Sequence, residues 1–451
     1  MKLLIDSRTR RPLVTSLVCG WLPRTTLIVS VTLLAASTGG DTPDRVDRDA
    51  RPPDNRDAAA DLSSDDRRAP LGSADTDLPL DGRDGRPLAL DRFRPESMLR
   101  VPQHRLRRAK YPVVDVHTHP RLRLRHSPDR LDAFVRIMDE QQIALCVSLD
   151  GRLGEAFDEH AAYLWTKYRD RFVIFANIDW RGDGQTDDPA TWACHRPGFA
   201  RRMATALADV KRRGASGLKI FKKLGLGYRN PDGTLIQIDD PRWDPIWQAC
   251  GELGLPILIH TADPAAFFLP IDETNERWEE LHRHPKWSFH GNRFPSRDSL
   301  LAARNRVVAR HPRTLFLGAH MANNPEDLGA VGRWLDTYPN LYVEIASRIA
   351  ELGRQPYTAR AFFLKYQDRI LFGTDGPRQR ARLWPHWRFL ETRDEYFRYA
   401  ENPFPPQGLW NIDGLGLPDD VLRKVYYENA EKLIPGVRQR LEAYRNRPTR
   451  E

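Results

Sequence analysis

The chain has 451 residues, 40% of them hydrophobic and 29% charged, which suits a large buried core and excludes a wholly disordered protein. The formal net charge is +9, and the first 100 residues hold 16 basic and 16 acidic side chains, so the whole excess lies on residues 101–451. No Lys/Arg run is long or interleaved with aromatics, which sets nucleic acid aside, and the four cysteines form no CxxC pair, which sets aside a zinc knuckle or a disulfide framework.

Residues 25–38, TTLIVSVTLLAAST, form an uncharged apolar run of signal-peptide length behind Arg8, Arg10, Arg11 and Arg24. The run is shorter than the ~20 residues that a membrane-spanning helix needs. A leader over 1–40 therefore predicts export, with a cytoplasmic protein as the alternative. Residues 41–105 are dominated by Asp, Arg, Pro and Ala and have too few large apolar side chains to offset chain entropy, so they are expected as a disordered linker. The folded domain is expected over 106–445. Cys19 lies in the leader; Cys146, Cys194 and Cys250 are expected as free thiols, and Cys146 and Cys250 sit in apolar segments.

From residue 113 onward, short apolar runs alternate with longer amphipathic stretches. The runs are VVDVHTH (113–119), ALCVSLD (144–150), FVIFANID (172–179), GLKIFK (217–222), PILIH (256–260), TLFLGAH (314–320), LYVEIA (341–346) and ILFGTD (370–375). Continuous runs of this length suit parallel strands buried on both faces. Between them PDRLDAFVRIMDEQQ (128–142), DPIWQACGELG (244–254) and PEDLGAVGRWLDTYP (325–339) read as helices, the last with Asn324 as N-cap and Pro325 as first helical residue. Eight such units predict a (β/α)8 TIM barrel of the α/β class, preceded by a disordered N-terminal extension. A doubly wound open sheet is the rival, and no Gly-rich dinucleotide fingerprint follows the first run to support it.

A barrel gathers its chemistry at the C-terminal ends of its strands. His117 and His119 end the first run, His260 the fifth, His320 the sixth and Asp375 the eighth. A single histidine at a strand end is ordinarily a satisfied polar residue, and an Asp in GTDGP is ordinarily a turn residue. Together, on ends that converge in a barrel, they point to a divalent metal held by imidazole nitrogen and carboxylate oxygen. The spacing of two in HTH puts both imidazoles on one strand face.

The motifs DVHTHP (115–120), LPILIHTADP (255–264), LGAHMANNPED (317–327), RILFGTDGP (369–377) and YYENAEKLIPG (426–436) resemble the amidohydrolase superfamily over roughly residues 110–440. The resemblance is to the amidohydrolase-related group that includes aminocarboxymuconate-semialdehyde decarboxylase. It implies that His117, His119, His260 and Asp375 bind the metal and that His320 is an acid/base or a substrate-polarising group. It also implies one divalent ion, zinc by default. Binuclear members carry a carboxylated lysine on the fourth strand, a part that Lys219 could fill, with Lys222 and Lys223 nearby.

The expected reaction is attack of metal-activated hydroxide on a carbonyl carbon of a small anionic amide, lactone or ester. Asp375 would ligate the metal, take the water's proton, or both; His320 would stabilise or protonate the developing oxyanion. Non-oxidative decarboxylation of an unsaturated or aromatic acid on the same ligands is the alternative. A barrel that binds without turnover is disfavoured by the presence of both His320 and Asp375. Lys219, Lys222, Glu344 and Arg348 are candidate substrate contacts. The long segment 267–298 is expected as a lid bearing Trp278, Trp287, Phe289, His290 and Arg293, and 376–417 as a pocket wall. His282, His284 and His290 are not expected as ligands, because no strand end presents them. The expected partner is a small anionic substrate, and a homo-oligomer stays open.

Overall fold

A computed structural model describes residues 81–447, apart from 90–91, 94, 380–381 and 401–406. The expected leader, Cys19, and the linker as far as residue 80 lie outside the described residues.

Eight strands form one parallel sheet in chain order: β1 (Val113–Thr118), β2 (Ile143–Ser148), β3 (Phe172–Asn177), β4 (Gly217–Ile220), β5 (Ile257–Ile259), β6 (Phe316–Gly318), β7 (Leu341–Glu344) and β8 (Ile370–Leu371). Each of the eight apolar runs coincides with one of them, and only β2 begins outside its run, one residue earlier at Ile143. The segment after β8 closes the barrel on β1: the Val116 N–H donates to Phe372 O at 3.0 Å, and Thr118 and Gly376 form a parallel bridge. The fold is the (β/α)8 barrel expected.

Burial explains why the strands read as unbroken apolar runs. Leu145, Val147, Val173, Phe175, Leu258, Leu317 and Leu371 meet in one cluster inside the barrel. Cys146, Ile174, Leu218, Ile257, Phe316 and Val343 face outward and pack with helical residues such as Met138, Leu164, Trp247 and Phe363. With helices on one face and the interior on the other, no strand needs a polar face.

The helix Pro128–Gln141 shows the local logic. Ser127 accepts from the Arg130 N–H, Pro128 occupies the first turn, and Gln142 ends the helix in the left-handed region at φ 62°. Leu131, Phe134, Val135 and Met138 recur at helical spacing and are buried. The helix expected from Pro325 instead begins at Leu328, and its cap is Asp327, whose Oδ1 accepts from the Ala330 N–H at 2.8 Å. Residues 320–323 leave β6 in a left-handed run, so the chain spends 324–327 turning back before a helix can start.

Cys146, Cys194 and Cys250 are buried free thiols, as expected. Residues 81–105 are largely exposed, but they are tied to the barrel at His104, whose N–H donates to Asp394 Oδ2 at 2.6 Å.

Candidate active site

β1 delivers the first two donors. His117 lies in the strand, and His119, just beyond it, opens the short helix Pro120–Leu124. Their Nε2 atoms are 3.3 Å apart. Asp375, beyond β8, sits in the left-handed region at φ 60° and places Oδ1 3.8 Å from His117 Nε2 and 3.6 Å from His119 Nε2. Asp115 staples the two strand ends together: its Oδ1 accepts from the N–H groups of His117 at 3.1 Å and Thr374 at 3.0 Å. Burial pushes its carboxyl up to about 7, against these hydrogen bonds.

Each imidazole is aimed by a carboxylate behind it. His117 Nδ1 meets Glu344 Oε1 at 2.8 Å, and His119 Nδ1 meets Asp150 Oδ1 at 2.7 Å. A neutral imidazole that donates from Nδ1 keeps its lone pair on Nε2, the atom turned toward the cluster. Burial first, and Lys219 second, hold His117 well below the usual histidine range, so it stays neutral. Burial works against the Asp375 carboxylate, but His117, Arg378, His119 and Arg123 hold it well below the usual carboxylate range. Two lone-pair nitrogens and an ionised carboxylate oxygen, all within 4.8 Å of one another, are the donors that a borderline divalent cation takes. His117, His320 and Glu344 form a second such group, but there the His117 atom facing Glu344 is Nδ1, already used in aiming the ring.

His260 stands at the same mouth, its ring 4.6 Å from that of His320. Its Nε2 faces Ala262 O at 3.1 Å and Asp263 Oδ1 at 3.3 Å, and it is not among the residues grouped around His117 Nε2. Burial lowers its pKa to about 4, against Asp263. Lys222 pairs with the other oxygen of Asp263.

His320 is presented by unusual backbone. His320, Met321, Ala322 and Asn323 have φ of 55°, 58°, 50° and 55°, a full left-handed turn without glycine. Each such residue costs about 1–2 kcal/mol, so the run persists only where its surroundings over-determine it. The His320 N–H donates to Glu344 Oε1 at 2.7 Å, and His320 Nδ1 meets Ala346 O at 2.8 Å. Burial, then His260, lowers its pKa to about 3.

Glu344, expected as a substrate contact, is fully buried, with one oxygen on His117 and His320 and the other accepting from the Ala346 N–H at 2.5 Å. In these contacts it orients the His117 ring and holds the His320 backbone. Lys219 lies inside the barrel at 1% exposure, and its Nζ has no hydrogen-bond partner among the described residues. Burial lowers its pKa to about 8, against Glu344 and Asp375. Arg348 is buried, donating to Ser347 O at 2.7 Å while its Nε has no partner among the described residues.

Three site neighbours escape a reading of the sequence. Asp150 carries no motif of its own, although it ends the second apolar run, and Asp115 opens the DVHTHP motif with nothing there to show that it will bond Thr374, 259 positions away. Phe221 stands in the fourth run as one more apolar residue, yet it is 39% exposed, its ring 5.8 Å from His119 and 5.4 Å from Lys219 Nζ.

In the segment 267–298, His282 and His284 stack on Trp278 and Trp287 at 4.4 and 4.2 Å. His290 Nδ1 faces Phe268 O at 3.4 Å, and none of the three joins a metal-holding group among the described residues. Lys222 lies over Phe289 at 5.2 Å, which ties this segment to the mouth. In 376–417, Gln407 reaches Ser347 O at 3.3 Å, beside Arg348.

Residues 114–436 match the amidohydrolase family. Among solved structures the chain is similar to 2,6-dihydroxybenzoate decarboxylase from Rhizobium, at 17% identity over 72% of this chain and 98% of that one, with a TM-score of 0.41. It is also similar to a dihydroxybenzoic acid decarboxylase from Polaromonas sp. JS666 with bound manganese and 2-nitroresorcinol, at 16% identity, 72% and 96% coverage and a TM-score of 0.42. An amidohydrolase from Burkholderia multivorans is matched at 13% identity, 71% and 98% coverage and a TM-score of 0.42. Well over half of the chain carries the family match, and the chain belongs to the amidohydrolase family as a metal-dependent enzyme.

Proposed function

We propose that this enzyme hydrolyses a C–N or C–O bond in a small anionic amide, lactone or ester, with one zinc ion per chain. The observation that carries the reading is the convergence of His117 Nε2, His119 Nε2 and Asp375 Oδ1 beside the buried ring of His320. These three residues and His260 are the proposed ligands. When bound, a divalent ion supplies Lewis acidity and an acidified water.

The chain's own residues do the rest. Glu344 and Asp150 fix the ring orientations of His117 and His119, so no reorganisation is needed at the moment of reaction. With Nδ1 of His320 donating to Ala346 O, its Nε2 is left as the proton acceptor. His320 is therefore the base that takes a proton from the attacking water and returns it to the leaving nitrogen or oxygen. Lys219, a buried ammonium with no hydrogen-bond partner among the described residues, anchors the substrate's anionic group, with Arg348 and Lys222 nearby.

A second reading rests on Phe221. Its exposed ring beside Lys219 would stack a planar acid, and the same ammonium would hold a carboxylate about to leave as CO2. One experiment separates the readings: metal is removed with a chelator and restored, and lactones, amides, esters and aromatic acids are screened for hydrolysis products and released CO2. Hydrolysis that stops on chelation and returns with zinc is expected. CO2 release without hydrolysis would replace the first reading with the second, and activity unchanged after complete metal removal would defeat both.

A further inference from the structure

The left-handed turn that presents His320 is gripped from behind by two arginines of the helix Arg297–Arg310. Arg304 is wholly buried, and its Nη1 donates to Ala322 O at 2.5 Å. Its other contacts are the Asn305 side-chain oxygen, at 3.1 and 2.8 Å, and the ring of Trp334, 4.5 Å from the guanidinium. Arg297 donates to Asn323 O at 2.7 Å and to Asp263 O at 3.1 Å, and pairs with Glu326 at 2.8 Å. From the front, the Thr261 N–H donates to Asn323 Oδ1 at 3.0 Å.

Arg304 poses a question of cost. A buried guanidinium is expensive to desolvate and is ordinarily repaid by a carboxylate. The acceptors here are a carbonyl and an amide. The carbonyl belongs to a residue without any conformational reason of its own to be left-handed: Ala322 has neither the freedom of glycine nor the local hydrogen bonding of asparagine. The two anomalies meet in a single contact, between the buried cation and the strained peptide. What that contact secures lies two residues upstream, where the same run sets the backbone of His320.

We propose that Arg304 is a positioning residue for His320: it pins the Ala322 carbonyl and so holds the left-handed turn that aims the imidazole at the metal-binding cluster. Arg297 completes the clamp at the next carbonyl. The catalytic consequence rests on the reading of His320 as the base; the structural consequence does not.

The test pairs Arg304→Met with a double variant, Arg304→Met/Ala322→Gly, in which glycine accepts the left-handed conformation freely. Hydrogen exchange of the backbone is followed over residues 318–324 in the zinc-loaded full chain. Exchange in this segment should rise at least tenfold in Arg304→Met while β1 and β5 keep their protection, and the double variant should recover most of the difference. With 4-nitrophenyl acetate as carbonyl probe, kcat should fall about 10- to 100-fold with KM within about threefold, and the double variant should regain activity. Arg304→Lys, which keeps one donor in the buried site, is made in parallel and should lie between the wild type and Met; it decides the matter if the Met variant does not accumulate folded. Unchanged exchange over 318–324, or a rise spread evenly over the barrel, would overturn the proposal. Altered exchange with intact kcat would instead leave the clamp standing and remove His320 from the chemistry.

Discussion

At the scale of single residues, the carboxylates behind the histidines turn neighbouring imidazoles into a donor set. Glu344→Gln keeps the shape behind His117 and removes its charge. It is expected to weaken zinc binding about 10- to 100-fold, read by competition with a chromogenic chelator. An unchanged affinity would mean that His117 is oriented by other contacts. Lys219 makes a complementary prediction, because its ammonium is buried and has no hydrogen-bond partner among the described residues. Lys219→Met should raise KM for anionic substrates about 10- to 100-fold, as expected for one lost charge-assisted hydrogen bond, and leave KM for a neutral ester alone. Equal effects on both substrates would remove the anchoring role. The histidines and Asp375 could be picked out in the sequence because each closes an apolar run. Glu344 was visible only as a polar residue in the seventh run, and its partner could not be named, because His117 is 227 positions away and only barrel closure brings them to 2.8 Å.

At the scale of elements, the strands end before the runs do. β8 keeps only Ile370 and Leu371 in the ladder, and β6 keeps Phe316 to Gly318, while the residues that follow turn out of register to aim Asp375 and His320. Apolar runs mark where chain is buried, not where it stops pairing, so these departures could not be read from composition. The turn after β6 also depends on Gly318, where a Cβ would meet Ala322 Cβ at 2.8 Å and Cα at 3.0 Å. Gly318→Ala should therefore cost about 1–3 kcal/mol of stability in denaturant unfolding, since backbone must move to make room. A variant as stable as the wild type would show that the turn yields easily.

At the scale of the whole molecule, the approach to the barrel is tied down at one buried carboxylate. Asp394 accepts from the His104 N–H at 2.6 Å and from Arg388 Nε at 2.5 Å. Burial raises its pKa, but these hydrogen bonds outweigh it and hold the carboxyl below its ordinary value of 3.8. A group depressed in the folded state adds stability above its unfolded pKa and loses it as pH falls through the folded value. Asp394→Asn should thus lower stability near neutrality and flatten the acid limb of the unfolding curve below about pH 4. A chain beginning at Ala109 should melt a few degrees below one beginning at Val101, since it lacks the His104 contacts and leaves Asp394 with fewer donors. Equal melting temperatures by calorimetry would show that His104 contributes nothing to the barrel.

The order of eight buried strands, the mouth at their C-terminal ends and the residue types that gather there were set by the sequence alone. Hydrophobic runs and chain connectivity are local properties, and a parallel barrel has only one way to use them. Which atom of each imidazole faces the cluster, which carboxylate stands behind it, and how His320 is held in a left-handed turn were decided by the tertiary structure. Those features depend on contacts between residues tens to hundreds of positions apart, made only when the sheet closes on itself.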